Sequence, residues 1–254
     1  MNKNDRSSLL EGKVILVSGA SGGIGRGVCE AAAYHGAKVA FLWKSNREGA
    51  AQTQEMLEEI GAEYLSLCVD LARPEAAAET VLQVEQKWGS LDGLVNNAAV
   101  SESIPFVLIE DEDFAKLMEV NLFSSFRLCR EAVRLMVRQK YGRIVNISSI
   151  AGSHTIPGPV HYAASKGGLD GLTRSLAHEV GPYGILVNAV SAGIFEGGLK
   201  STIPANHLKR YQEASSLSRF GEPRECGEFV SWLLSEKNTY INGAILSQDG
   251  GTLG

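Results

Sequence analysis

The chain lacks most features that mark specialised proteins. Its 254 residues hold only four cysteines, at 29, 68, 129 and 226, with no C-x-x-C pair among them. Thiols scattered in this way exclude a disulfide scaffold and fit buried free thiols in a reducing cytoplasm. The five histidines, at 35, 154, 161, 178 and 207, show no ligand spacing, so no metal site is expected. With seven prolines and 7% aromatic residues, the sequence contains no Pro-rich linker. No apolar run approaches the ~18–20 residues of a membrane span. Residues 1–12 are polar and charged, lack the apolar core of a signal peptide, and read as an extension ahead of one domain at 13–254. A surplus of positive charge is also missing. The net charge of −5 and pI near 5.6 argue against a nucleic-acid footprint. A cytoplasmic protein that binds neither membrane nor nucleic acid is expected.

One residue is in excess. Glycine makes up 28 of 254 positions, about 11% against a usual ~7%. There is no Gly-X-Y period, and 44% of residues are hydrophobic, so neither collagen nor disorder follows. Glycine in a globular chain serves tight turns and close backbone approach.

Short apolar runs alternate with longer helical patterns. Runs at 14–17, 39–43, 64–69, 94–96, 144–147, 185–190 and 244–246 are continuous and rich in Val, Ile and Leu. They read as strands buried on both faces. Helical patterns fill 25–35, 47–60, 74–88, 111–139, 162–180 and 223–235. Pro74 suits a first helical turn, and Gly36 and Gly61 suit helix ends. The alternation predicts a single-domain α/β fold of Rossmann type, a doubly wound parallel sheet of about seven strands with helices on both faces. The least regular stretch, near 193–215, follows the sixth strand, where such sheets bind ligands, and is expected to form a substrate lid.

Between the first strand and first helix lies Ser18-Gly19-Ala20-Ser21-Gly22-Gly23-Ile24-Gly25. Gly19 permits a sharp turn, Gly23 lets a pyrophosphate approach the backbone, and Gly25 lets the helix pack on the strand. Free N–H groups and the positive dipole end of the helix favour an anion there. A dinucleotide is therefore expected. At the end of the second strand, where NAD-preferring sites carry an acid, stand Trp43, Lys44 and then Arg47. Two cations and no repelling carboxylate favour the 2′-phosphate of NADP over NAD. Asp70, ending the third strand, would bond adenine or cap the next segment.

A second constellation is Tyr162-Ala-Ala-Ser-Lys166, which puts a phenol and an ammonium one helical turn apart on one face. An ammonium nearby moves a phenol toward acid–base usefulness. Ser149 stands thirteen residues before Tyr162. Spacing alone is weak, since seven tyrosines and eleven lysines give roughly 0.3 chance matches. A second match exists in Ser21, Tyr34 and Lys38, with the same intervals. Gly36 falls between that Tyr and Lys and is expected to end the helix there.

Taken in order, the segments 18–25, Asp70, Asn96-Asn97-Ala98-Ala99, Val120-Asn121-Leu122, Ile147-Ser148-Ser149, Tyr162-x-x-x-Lys166 and Asp249-Gly250-Gly251 resemble the short-chain dehydrogenase/reductase family. The resemblance runs from Lys13 to Gly251. It implies a catalytic tetrad of Asn121, Ser149, Tyr162 and Lys166. Tyr162 would be the general acid in reduction, Ser149 would position the substrate oxygen, and Lys166 would lower the Tyr162 pKa and bind the nicotinamide ribose. Asn121, in the long helix, would hold a water that links Lys166 to solvent. The implied cofactor contacts are Gly19, Ser21, Gly23, Ile24, Gly25, Lys44, Asp70, Leu71, Asn97, Ala98, Ala99, Tyr162, Lys166, Ala192, Gly193 and Phe195.

Some positions depart from the family pattern. Ala99 replaces Gly, Ala192 replaces the Pro of Pro-Gly, Gly197 stands where Thr often contacts cofactor, and Gly22 stands where NADP-using relatives often carry a base. Across its length the chain resembles 3-oxoacyl thioester reductases of fatty-acid or polyketide-type synthesis. These use NADPH and act on small-molecule or carrier-protein-bound ketones. Lys140 and Arg143 are the expected carrier contacts, although Tyr183 stands where those enzymes often have Arg. The alternatives are an NAD(P)-dependent alcohol, sugar or steroid dehydrogenase and a non-catalytic dinucleotide-binding subunit. A homotetramer or dimer is implied, and Gly167, Gly168 and Gly171 are expected at a close helix contact.

Overall fold

A computed structural model describes residues 9–153 and 158–252; His154 lies outside the described residues, as does 1–8 of the expected extension. Seven strands are described: β1 (Val14–Val17), β2 (Lys38–Trp43), β3 (Tyr64–Cys68), β4 (Gly93–Asn96), β5 (Gly142–Ser149), β6 (Ile185–Ala192) and β7 (Ile245–Gln248). They form one parallel sheet in the order β3-β2-β1-β4-β5-β6-β7, so the order reverses between β1 and β4. Helices α1 (Gly23–Tyr34), α2 (Arg47–Ile60), α3 (Ala76–Trp88), α4 (Asp111–Met118), α5 (Ser124–Gln139), α6 (Ile150–Ser153), α7 (Val160–Val180), α8 (Ala205–Ala214) and α9 (Pro223–Leu234) complete the chain.

Strand alternation divides the core. Ile15, Val17, Val39, Phe41, Val145 and Ile147 face one layer, with Val28 of α1, Leu57 of α2 and Val230 of α9. Val14, Leu16, Ala40, Leu42 and Ile144 face the other, with Val84 of α3, Leu128 and Met136 of α5, and Val180 of α7. Burying each such side chain contributes about 1.5–3 kcal/mol. Leu10, ahead of β1, is also fully buried in the first layer.

Four features differ from the sequence expectation. The edge strands β3 and β7 are half-exposed, because each has a neighbour on one side only. The helix expected at 111–139 is interrupted by a π-turn at Glu119–Phe123, which carries Asn121. Such bulges insert one residue into the helical ladder and recur at functional sites. The stretch after β6 contains an unforeseen helix, α8. A close helix contact that was not foreseen is made by two other glycines: a Cβ on Gly27 of α1 would collide with the Pro223 carbonyl, and one on Gly227 of α9 with the Gly27 carbonyl. In α7, Gly168 meets Leu122 and Gly167 lies near Gly152, whereas Gly171 has open space around it.

Candidate active site

The turn after β1 is built by its neighbours. The Ser18 hydroxyl accepts the N–H groups of Asn97 and Ala98 at 3.0 and 3.1 Å. The Asn97 amide returns two bonds, to the carbonyls of Ser18 and Gly19, at 2.9 and 2.8 Å. These four bonds fasten the carboxyl end of β1 to that of β4, across the point where strand order reverses. Gly19 has φ +68°, and a Cβ there would stand 2.6 Å from the Ala98 Cα. A Cβ on Gly25 would strike the Gly19 carbonyl and come within 2.5 Å of the Asn97 amide. On the other side, the Arg26 guanidinium donates to the carbonyls of Ser21 and Gly49 at 3.1 and 2.9 Å and to the Thr53 hydroxyl. Ile24 packs against the core. No side chain caps α1, and no acid lies in its first turn. Its leading N–H groups are left facing the cleft, and that is the donor set an anionic pyrophosphate requires.

The adenosine side is polar. Lys44 pairs with Asp70 at 2.7 Å, and Asp70 Oδ1 accepts the Ala72 N–H at 3.0 Å. The Lys44 hydrogen bond, then the Ala72 N–H, holds the Asp70 carboxyl below the ordinary carboxylate range. Asp70 therefore caps its own turn while it faces Lys44. Leu71 turns inward, into the second core layer. Arg47 opens α2, where Asn46 accepts the Gly49 N–H.

The four implied catalytic residues converge from three elements. Ser149 ends β5, and its hydroxyl bonds the Tyr162 phenol and accepts the Ala151 N–H at 3.2 Å. Lys166 is buried one turn further along α7. Its Nζ donates to the Ile147 carbonyl at 2.7 Å and lies 5.7 Å from the Tyr162 ring centre. Asn121 is fully buried in the π-turn. Its side chain clamps the Val100 peptide, accepting the N–H at 2.8 Å and donating to the carbonyl at 2.9 Å. It also donates to Ser165 Oγ at 3.1 Å, and Ser165 donates to the Tyr162 carbonyl at 2.7 Å. Thus Asn121 joins the loop after β4 to the helical turn that bears Tyr162.

Burial pushes the Lys166 ammonium down to about 8, against the opposing pull of Asp170. Burial pushes the Tyr162 phenol up, and only the Ser149 bond counters it. Lys166 Nζ donates to the Ile147 carbonyl beside the Tyr162 ring. Arg26, which braces the glycine turn, and Ser165, which bonds the Tyr162 carbonyl, escaped the sequence reading. Ser165 had a usable signal, lying three residues after Tyr162 on the same helical face.

The stretch after β6 leans over the turn. Ala192 ends β6 opposite Gln248. The Gly193 N–H bonds the Gln248 carbonyl at 3.0 Å, and a Cβ on Gly193 would strike the Tyr211 hydroxyl. Phe195 is buried, with its ring against Gly221. Gly198 comes within 3.1 Å of where a Gly23 Cβ would stand. Lys200 pairs with Glu196 at 2.6 Å and lies over the Phe220 ring.

The expected carrier contacts are corrected. Arg143 is 8% exposed and donates to the carbonyls of Gly142, Gly184 and Asn238. Together with Lys140, the left-handed end of α5, it sits at the amino end of β5, a strand's length from Ser149. Neither side chain lies at the mouth of the site.

A parallel α/β sheet with a glycine-built anion turn beside a Ser–Tyr–Lys cluster defines a dinucleotide-dependent oxidoreductase. Comparison with known proteins agrees. The family described as enoyl-(acyl carrier protein) reductase matches residues 19–252. The 3-oxoacyl-(acyl-carrier-protein) reductase FabG of Aquifex aeolicus is 34% identical over 95% of this chain and 98% of its own. That of Escherichia coli K12 is 34% identical over 95% and 97%. Among solved structures, a putative short-chain alcohol dehydrogenase from Sinorhizobium meliloti has a TM-score of 0.90 at 33% identity, covering 97% of this chain and 98% of its own. An NAD+-bound xylitol dehydrogenase has 0.88 at 31%, covering 95% and 99%. The chain belongs to the short-chain dehydrogenase/reductase family. It is an NAD(P)-dependent oxidoreductase acting on CH–OH or C=O groups. Among the described residues, no helix is long and apolar enough to cross a membrane.

Proposed function

We propose that this enzyme reduces a 3-oxoacyl thioester, carried on acyl carrier protein or coenzyme A, to the 3-hydroxyacyl thioester with NADPH. The reaction would serve fatty-acid or polyketide-type synthesis in the cytoplasm. The carrying observation is the hydrogen-bonded Ser149–Tyr162 pair, with Lys166 one turn on, in a chain 34% identical to 3-oxoacyl reductases over nearly its full length. Bound NADPH supplies the hydride. The two hydroxyls meet the ketone oxygen; Ser149 positions it and Tyr162 delivers the proton as negative charge develops. Lys166 would restore the phenol's proton and hold the nicotinamide ribose, with Asn121 serving the link to solvent that the family resemblance implies.

A dinucleotide fits the residues present. The uncapped N-terminus of α1 would take the pyrophosphate, behind a turn packed so tightly that no side chain fits at Gly19 or Gly25. Gly19, Ser21, Gly23 and Ile24 would line it, with Asn97, Ala98 and Ala99 on the adenosine side and Ala192, Gly193 and Phe195 toward the nicotinamide. Lys44, exposed beside Asp70, supports NADPH, because a 2′-phosphate can take over the ammonium from the carboxylate. The stretch 193–215 acts as the substrate lid. A homodimer or homotetramer is supported by exposed apolar residues of the segment between β4 and α4, Phe106 at 70% and Val107 at 85%, and of the π-turn, Phe123 at 47%.

A second reading, a polyol or alcohol dehydrogenase using NAD, is favoured by the TM-score of 0.88 to the xylitol enzyme. A substrate panel of acetoacetyl thioesters and simple ketones with NADPH and NADH, and of polyols with NADP+ and NAD+, separates the two. Faster turnover of polyols with NAD overturns the thioester assignment.

A further inference from the structure

Asp170 lies on α7 one turn beyond Lys166 and is 2% exposed. A carboxylate buried this deeply is costly unless its charge is used. The Ser148 hydroxyl of β5 hydrogen-bonds it, and Ser148 is the residue before Ser149. Ser148 Oγ also lies 3.4 Å from the Lys166 carbonyl. The second carboxylate oxygen, Oδ1, is buried without a hydrogen-bond partner. Among the described residues, the charges acting on Asp170 are Lys166 and Arg174, both of its own helix; β5 offers only the Ser148 hydroxyl. Gly152 of α6 packs against the Lys166 backbone and brings no charge. In return, Asp170 is the one charge that acts on Lys166 among the described residues.

We propose that Asp170 is a positioning residue for the reaction. It is the buried counter-charge of Lys166, and through Ser148 it registers the end of β5 against α7. The inference rests on Tyr162 and Lys166 being the proton-transfer pair. Burial drives Lys166 down to about 8, and Asp170 opposes that fall. Without the carboxylate the ammonium loses its proton at still lower pH, and the alkaline limb of catalysis moves down with it.

Two measurements test the proposal, and one needs no substrate. Denaturant unfolding of wild type, Asp170→Asn, Lys166→Met and the double variant is expected to show coupling of about tenfold in the unfolding constant. Additive losses overturn the pairing. In steady-state kinetics, Asp170→Asn is expected to shift the alkaline limb of kcat down by about one pH unit, with cofactor KM within about twofold of wild type. Asp170→Glu should recover part of the shift. An unmoved limb in active enzyme overturns the role. If Asp170→Asn does not fold, Ser148→Ala carries the test, with a smaller shift in the same direction; no shift is again a refutation. If wild type reduces no ketone, the assigned reaction fails, while the unfolding coupling still decides whether Asp170 serves Lys166.

Discussion

The chain contains the same serine–tyrosine–lysine spacing twice, and the fold uses the two copies in opposite ways. In Ser149–Tyr162–Lys166, the Tyr and Lys share an unbroken helix, and the serine ends the strand beside it. In Ser21–Tyr34–Lys38, α1 stops at Tyr34, Gly36 takes φ +89°, and Lys38 begins β2. Tyr34 lies under the Arg224 guanidinium, and Lys38 pairs with Glu63. Ser21 lends its carbonyl to Arg26. Identical intervals thus give a buried Ser–Tyr–Lys cluster, the proposed proton-transfer site, in one place and a helix end in the other. Continuity of the helix between Tyr and Lys makes the difference.

The sharpest way to break this comparison is to remove each phenol. Tyr162→Phe is expected to lower kcat by about 10³-fold with NADPH affinity nearly intact, the scale of a lost general acid. Tyr34→Phe should stay within about twofold, because its hydroxyl touches no reacting group. Turnover with both coenzymes and fluorescence titration of NADPH check this. An active Tyr162→Phe removes the proposed mechanism.

The second region has its own task, which is to present bare backbone. Gly25→Ala places a methyl against the Gly19 carbonyl and the Asn97 amide. Cofactor KM should rise by about 100-fold or more, through loss of the turn that faces the pyrophosphate. Smaller effects should come from the adenosine side. Lys44→Ala is expected to weaken NADPH by about tenfold and NADH by less than threefold. Gly22 has extended backbone and open space around it, so Gly22→Arg should strengthen NADPH several-fold without disturbing α1. Isothermal titration with each coenzyme reads both variants, and equal losses of NADPH and NADH in Lys44→Ala overturn the 2′-phosphate role.

The two regions were not equally legible. Strand–helix alternation carried the architecture, because parallel strands buried on both faces leave continuous apolar runs at short intervals. The glycine turn was legible because glycine alone meets its steric demands. Around α7 the sequence showed the proposed reacting residues but not their support. Ser165 and Asp170 reach their partners through helix packing, and Asn121 sits on a π-turn that no residue pattern announces. Ser18 joins β1 to Asn97, seventy-nine positions away, a contact that topology creates and local pattern does not contain. Arg143 failed the other way. A cation near a strand start reads as surface charge, yet it lies buried under three backbone carbonyls.

The smallest expected effect concerns the helix whose continuity separates the two copies. Gly36 ends α1 in a left-handed conformation, whereas Gly171 sits exposed inside α7 with helical backbone on both sides and open space where a Cβ would go. Helix propensity favours alanine over glycine by about 1 kcal/mol, chiefly through the entropy of the unfolded chain. Gly171→Ala should therefore raise the unfolding midpoint by a few degrees in the isolated chain and leave kcat unchanged. Gly36→Ala should lower it, since its backbone conformation resists a side chain. If Gly171→Ala instead destabilises and also shifts the oligomeric state in light scattering, a second copy of the chain covers that face of α7. The glycine would then serve an interface between subunits, where a methyl group no longer has room.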